Sequence, residues 1–508
     1  MEVSSIKAEG NSPQKKLLAK FRRRAERLAR RVGQVVDAYE QAQEEIRQLK
    51  RQLDSKLLEV ANYQTQILAL DSKEHSGRLV PFSDTNILQH RFAASMVALC
   101  VNLSNIMPFR TVAKTLPIVL SAIGIQTPIP DRETITRWCK RIGLDRLREN
   151  QELATIQQDM IWIVDHSNQI GTQKVLVILG VAAHKLPREG QTLQLDNLHV
   201  LAIEPGVSWT RDDVRRVYKE LADLIGRPRW VLCDGAVELR ESADVLCDEH
   251  HTTRTLRDFK HVAANRFESL IGKSDRFSEF VAQMGKTRCL IQQTELAHLT
   301  PPGMKTKARF MNIEPMIAWA AMVLGVLACP EAPESGVKDP KKLEQRLGWL
   351  REFADAIASW QRCCAVISWS LAWVNSHSLK SNTAEEMRKG LESLQGCDLS
   401  TKMTEELLKA VEQSCANVQP GEQSWLSSEC LESAFALFKK REGQQSRSGF
   451  TGLILTLPSL LRQWTSDEVR KALMRTSTKD ANQWIEKNIG ETIWAKRTRA
   501  FNHFTPNI

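Results

Sequence analysis

The sequence predicts an α/β domain interrupted by a large helical insertion and preceded by a coiled coil and a helix-turn-helix-like helical domain. Three observations carry this. A heptad seam runs through residues 32–70, two apolar segments end in an acid at Asp165 and Asp234, and strand signals nearly vanish between His261 and about residue 425.

Length and composition bound the reading. The 508 residues suit two to four structural units. Hydrophobic residues at 42% and charged residues at 26% sit near globular averages, which excludes a disordered tail, a collagen-like fibre and a membrane transporter. Lysine and arginine total 70 against 60 acids, a formal charge of +10, which favours a polyanionic partner. The 11 cysteines contain no Cys-x-x-Cys pair, and Cys100, Cys139, Cys233 and Cys289 lie among apolar residues, as reduced thiols do. Neither a disulfide framework nor a zinc ribbon is expected. The start lacks an apolar run of signal-peptide type, and the most apolar stretch, 315–329, is shorter than the roughly 20 residues a bilayer needs. The sequence thus predicts a soluble, intracellular chain without membrane contact, its 315–329 stretch a buried helix.

Residues 1–14 are polar and predicted to be disordered. Residues 15–72 read as a basic helix and coiled coil. Nine basic residues stand between Lys15 and Arg31 against one acid, Glu26, and Arg22, Arg23 and Arg24 are candidate phosphate contacts. The a/d seam is Val32, Val35, Tyr39, Ala42, Ile46, Leu49, Leu53, Lys56, Val60, Tyr63, Ile67 and Leu70, broken only by Lys56. So narrow a seam favours a homodimer or higher oligomer over a helix packed on its own domain.

Residues 85–150 read as short helices with tight joints. Asp131 is a good N-cap, Ile135, Trp138 and Ile142 form a buried stripe, and Gly143 is expected to end the helix. Arg132, Thr134, Arg137, Lys140 and Arg141 would then face outward, as a recognition helix presents itself to the major groove.

From residue 155 to 262 the texture changes. Strands are predicted over 160–165, 174–181, 198–203, 230–235 and 252–256, with helices over 210–225 and 237–249. Three strands in a meander, then alternating helix and strand, is the order of a ribonuclease-H-like domain. Residues 263–425 form the all-α insertion, whose tryptophans (Trp319, Trp349, Trp360, Trp369, Trp373) recur at helical spacing and read as core. Residues 426–508 would supply the last helices of the α/β domain and a tail.

A buried strand aims the carboxylate at its end rigidly. Two such strands side by side would bring Asp165 and Asp234 to one spot, where unpaired carboxylates repel unless a cation sits between them or one is protonated. Hard divalent cations such as Mg²⁺ take oxygen ligands. Taken singly, Asp234 could be an N-cap and Asp165 a turn residue. As a pair on the first and fourth strands they favour a metal site.

These residues resemble the acidic triad of DDE transposases, with Glu432 as the late acid. The resemblance spans most of the chain from about residue 85 and is nearest to insertion-sequence transposases with a helical insertion. Asp258-Phe259-Lys260-His261 resembles the Asp-x-x-His element that follows the fifth strand in several of these families. Glu432 and Lys439 match the Glu-x₆-Lys end of the Tyr-x₂-Arg-x₃-Glu-x₆-Lys signature, although Trp425 and Ser428 hold its Tyr and Arg positions. The zinc-binding N-terminal region of some relatives is absent. Glu429, one turn earlier, and Glu385 or Glu386 are rivals for the third acid.

The resemblance implies two Mg²⁺ (or Mn²⁺) ions, Asp165 bridging both while Asp234 and Glu432 each complete one shell. It implies cleavage and strand transfer on DNA, transposon ends and target as partners, and a cytoplasmic, nucleoid-associated location. His261 would orient the scissile phosphate or a flipped base, and Lys439 would contact phosphate. The alternative is a transposase-derived DNA-binding regulator that has lost catalysis.

Overall fold

The computed structural model describes Lys20, Arg22 and residues 91–504, save 157–158, 169–173, 207, 304–308, 443–450 and 491–492. The chain divides into two units, Met1–Pro81 and Phe82–Ile508. In the first, Lys20 and Arg22 are helical and exposed. The heptad seam, Arg23 and Arg24 lie outside the described residues.

The second unit is built on a five-stranded sheet of β1 (Met160–Asn168), β2 (Lys174–Ala182), β3 (His199–Gly206), β4 (Trp230–Cys233) and β5 (Arg254–Arg257), in the order β3-β2-β1-β4-β5. Strands β1, β2 and β3 pair antiparallel, and β4 and β5 are added parallel to β1. The arrangement is compatible with a ribonuclease-H-like fold. β1 runs three residues past Asp165, because Asn168 still pairs with Lys174 of β2.

Alternation along the strands separates two cores. Ile161, Ile163, Trp230 and Leu232 enter one; Trp162, Val164, Val231 and Cys233 enter the other. The second core is covered by α4 (Arg211–Ile225), whose face of Val214, Val217, Tyr218, Leu221 and Ile225 follows a helical period. The helix expected over 237–249 is shorter: α5 (Val237–Arg240) gives way to a 3₁₀ segment, Glu241–Leu246. There the buried Ser242 hydroxyl bonds the carbonyls of Glu238 and Arg211, and such back-bonding competes with the α-helical ladder.

The first core continues into the helical block: α6 (Phe259–Phe267), α7 (Asp275–Ile291), α8 (Arg309–Ala328), α9 (Pro340–Leu347), α10 (Ala354–Val374), α11 (Thr383–Leu391) and α12 (Asp398–Cys415). Trp360 packs edge-on against Phe277 and Phe280, and Trp319 is buried, so these rings serve as core. The apolar 315–329 stretch lies mostly in α8, with Met316, Ile317, Ala320, Val323 and Leu327 inward. Among the described residues no helix is long and apolar enough to cross a membrane. The chain returns through an antiparallel bridge between Leu379 and Ser424 and enters α13 (Glu429–Glu442).

The N-terminal helices α1 (Ala94–Ser104), α2 (Phe109–Ala122) and α3 (Arg132–Ile156) share a core with Trp464, Val469, Ala472 and Leu473. The last three belong to α14 (Ser466–Arg475). Gly143 does not end α3, which continues to Ile156. The glycine answers a packing need instead: a Cβ there would lie 1.9 Å from the Leu455 carbonyl oxygen, in the 3₁₀ segment Gly452–Leu460.

Arg441, near the end of α13, ties these parts together. Its side chain is 2% exposed. It donates to Ser104 O at 3.2 Å, Ser104 Oγ at 3.0 Å, Asn105 Oδ1 at 2.6 Å, Thr456 O at 3.1 Å and Ser459 Oγ at 2.9 Å. Among the described residues no carboxylate pairs with it, and burial lowers its pKa to about 10.

Two stability predictions follow from this packing. Arg441→Leu leaves buried oxygens unsatisfied and should cost about 3 kcal/mol. Gly143→Ala forces α3 off the Leu455 backbone and should cost about 2 kcal/mol. Urea denaturation checks both, and an unchanged midpoint would contradict the contact concerned.

Candidate active site

Asp165 follows Ile161 and Ile163 at the two-residue period, and Asp234 follows Trp230 and Leu232 in the same way. Both aspartates therefore fall on the sheet face covered by α6 and α13. The parallel register pairs Val164 with Cys233, so each aspartate stands one step beyond the last paired residue. Neighbouring strands lie about 4.8 Å apart, which sets the scale of the backbone spacing between the two positions.

Each carboxylate is steadied by its own chain. Asp165 Oδ1 accepts from the His166 amide at 2.6 Å, and Asp234 Oδ1 from the Ala236 amide at 2.8 Å. The second bond needs the turn at Gly235, where φ is +91° and a Cβ would lie 2.8 Å from Arg257 Nε. Burial, and then the charges of Asp234 and Glu432, push the Asp165 pKa up to about 7, while the His166 amide and His261 oppose the shift.

Glu432 lies in the first turn of α13, and its Oε2 accepts from Lys260 Nζ at 2.7 Å. Glu429 is exposed and takes a hydrogen bond from Asn375 Nδ2. With Thr192, Leu193 and Trp425 it lines a separate cavity of about 250 Å³. Glu385 pairs with Lys389 within α11, and Glu386 accepts from Asn382, the residue before that helix. Glu432 is among the charges acting on Asp165.

Asp258 organises the approach. It is fully buried, and burial is the largest cause raising its pKa. Its Oδ2 accepts from the His261 amide at 3.1 Å, capping α6, and its Oδ1 accepts from the Ser428 amide at 2.8 Å, just before α13. Its own amide donates to Cys233 O at 2.7 Å, beside Asp234, and the Phe259 amide donates to Leu426 O at 2.9 Å. His261 is half-exposed, with Nε2 4.0 Å from Asp258 Oδ2. Lys439 is exposed on the last turns of α13. Trp425 and Ser428 are both buried.

The outward positions of α3 divide. Asp131 Oδ1 caps the helix by accepting from the Thr134 amide at 2.6 Å. Arg132 and Arg137 are exposed, and Thr134 and Lys140 are half-buried. Arg141 is not outward: Nε donates to Thr476 O at 2.8 Å and Nη2 to Leu473 O, so it caps the C-terminal end of α14.

Sequence reasoning gave no role to Lys260 or Arg257. Lys260 stood inside the Asp-x-x-His element already singled out. Arg257 is the β5 residue in register with Cys233, a placement that only the strand order discloses.

The acids offer carboxylate oxygens alone, the donor set of a hard divalent cation. Among the described residues, no group of three or more His, Cys, Asp or Glu is assembled to hold a metal ion. Asp165 and Asp234 fit such a cation by chemistry and level, and Glu432 is engaged by Lys260.

One solved structure is similar in outline. It is a chain of a "Drosophila P element transposase strand transfer complex", at 12% identity and a TM-score of 0.38, covering 79% of this chain and 99% of that one. No protein-family model matches this chain, and no curated protein is matched by it.

A pH prediction follows from Asp165. Its folded pKa of about 7 lies above the unfolded value of about 3.9, so between these the folded chain holds a proton that the unfolded chain has released. The Asp165 contribution to metal-free stability should fall as pH rises from about 4 to about 7, then level off. Urea midpoints in chelator across this range, compared with Asp165→Asn, check it. An equal slope in the two proteins would contradict the assignment.

Proposed function

We propose that this chain is a DDE-type transposase, which binds transposon ends and catalyses metal-dependent DNA cleavage and strand transfer through Asp165, Asp234 and Glu432. The observation that carries the reading is the pair of aspartates on one face, each one step beyond the last paired residues of parallel β1 and β4, with Glu432 acting on the first of them.

Asp165 and Asp234 would hold Mg²⁺ or Mn²⁺, as two ions once Glu432 joins them. When bound, such ions make water or a 3′-hydroxyl a better nucleophile and neutralise charge on the leaving oxygen. The residues of the chain do the rest. The Asp258 bonds tie the starts of α6 and α13 to the end of β4, and with them the Lys260–Glu432 pair. His261 would orient the phosphate, and Lys439 would contact the DNA further along α13.

Arg132, Thr134, Arg137 and Lys140 on α3, with the basic segment at Arg22, Arg23 and Arg24, would take the DNA end and release counterions from its phosphates. The heptad seam would pair two subunits, which suits a reaction that holds two ends at once. A nucleoid-associated location accords with these partners.

One observation favours a second reading, a transposase-derived regulator without catalysis: no three-ligand metal group is assembled among the described residues. Nicking of supercoiled plasmid in Mg²⁺ or Mn²⁺ decides between them. The transposase reading expects nicking that Asp165→Asn or Asp234→Asn reduces at least about 10³-fold while salt-sensitive DNA binding persists. DNA binding with no metal-dependent nicking by the unaltered chain would sink it and leave the regulator.

A further inference from the structure

Lys260 sits where a cation is wanted. Its Nζ lies 2.7 Å from Glu432 Oε2, with the lysine side chain 19% and the glutamate 39% exposed. The lysine is largely shielded from open solvent, where an ion pair contributes little. Both partners are fixed from one point. Lys260 is the second residue of α6, capped by Asp258, and Glu432 follows Ser428, whose amide bonds the same carboxylate. Neither helix has to move for the ammonium and the carboxylate to meet.

The charges around the pair explain why it forms. Asp258 ties the start of α13 to the Cys233 carbonyl, next to Asp234, and the charges of Asp234 and Glu432 both raise the Asp165 pKa. A third carboxylate left bare beside two others would be repelled, and the Lys260 ammonium removes that repulsion. A divalent cation held by Asp165 and Asp234 would draw on the same Glu432 carboxylate. Two cations sharing one carboxylate repel each other, so each weakens the hold of the other, and the coupling is reciprocal.

We propose that Lys260 is a positioning residue: it stands in for a divalent cation on Glu432 in the metal-free protein and yields the carboxylate when the cation binds, its ammonium then free to face a DNA phosphate. The inference rests on the metal-site reading above and adds a residue to it. Lys260 is thus a competitor of the metal for Glu432, not a prop that helps the metal bind.

The experiment is Mn²⁺ binding to the full-length chain, read from the electron paramagnetic resonance of free Mn²⁺, with no DNA present. Lys260→Met should bind Mn²⁺ about tenfold more tightly than the unaltered chain. Lys260→Arg, which keeps the charge, should restore the original affinity. In a Glu432→Gln background, Lys260→Met should bring no gain, because the contested carboxylate is gone. Should Lys260→Met fail to fold, Lys260→Gln makes the same comparison. Equal or weaker Mn²⁺ binding by the charge-removing variant overturns the proposal while leaving the metal site standing. If the unaltered chain binds Mn²⁺ no better than Asp165→Asn, the metal site itself fails, and the proposal falls with it.

Discussion

The geometry of the acids depends on one buried carboxylate. Asp258 accepts from the His261 amide on one side and the Ser428 amide on the other, while its own amide donates to the carbonyl of Cys233. Three stretches of chain that are distant in sequence meet there: the end of β4, the start of α6 and the start of α13. Burying a carboxylate is costly unless donors satisfy it. Here the donors are backbone amides at two helix starts, which carry partial positive charge and leave no side-chain rotamer to wander. A surface ion pair at the same place would allow the two helices to slide. The site residues ride on elements that this carboxylate holds in register.

Much of this was legible in the sequence, for a definite reason. The strands are short apolar runs bounded by polar turns, and the two-residue period that buries Ile161 and Ile163 also determines where Asp165 must point. The same holds for Trp230, Leu232 and Asp234. The Asp-x-x-His element stood out as a motif, yet the stronger role falls to its Asp, as a tie between helices, and its lysine went unassigned. Arg141 misled because helical spacing predicts which face a residue occupies but not whether another helix ends against that face.

What could not be read depends on partners far away in the chain. Nothing near Arg441 announces that it will bond Ser104 and Asn105, more than 300 residues earlier. Gly143 looked like a helix end because glycine usually is one at such a place. Its actual reason lies in the Leu455 backbone, which no local pattern contains. The helical content after β5, by contrast, showed itself through the mere absence of strand texture, although the packing of Phe277, Phe280 and Trp360 did not.

The continuity of α3 has a consequence of phase. Its 25 residues span about 37 Å, from exposed Arg132 to a far half that grips the sheet: Asn150 Nδ2 donates to Val200 O at 3.2 Å, and Gln151 Nε2 to Leu201 O at 2.9 Å. One end presents arginines to the outside and the other is bolted to β3. Adding or removing a single residue between them would turn one end against the other by about 100° and shift it by about 1.5 Å. The helix is therefore a spacer with a fixed rotational setting. Whatever its first turns grasp is held at a set distance and a set angle from the strands that carry the acids.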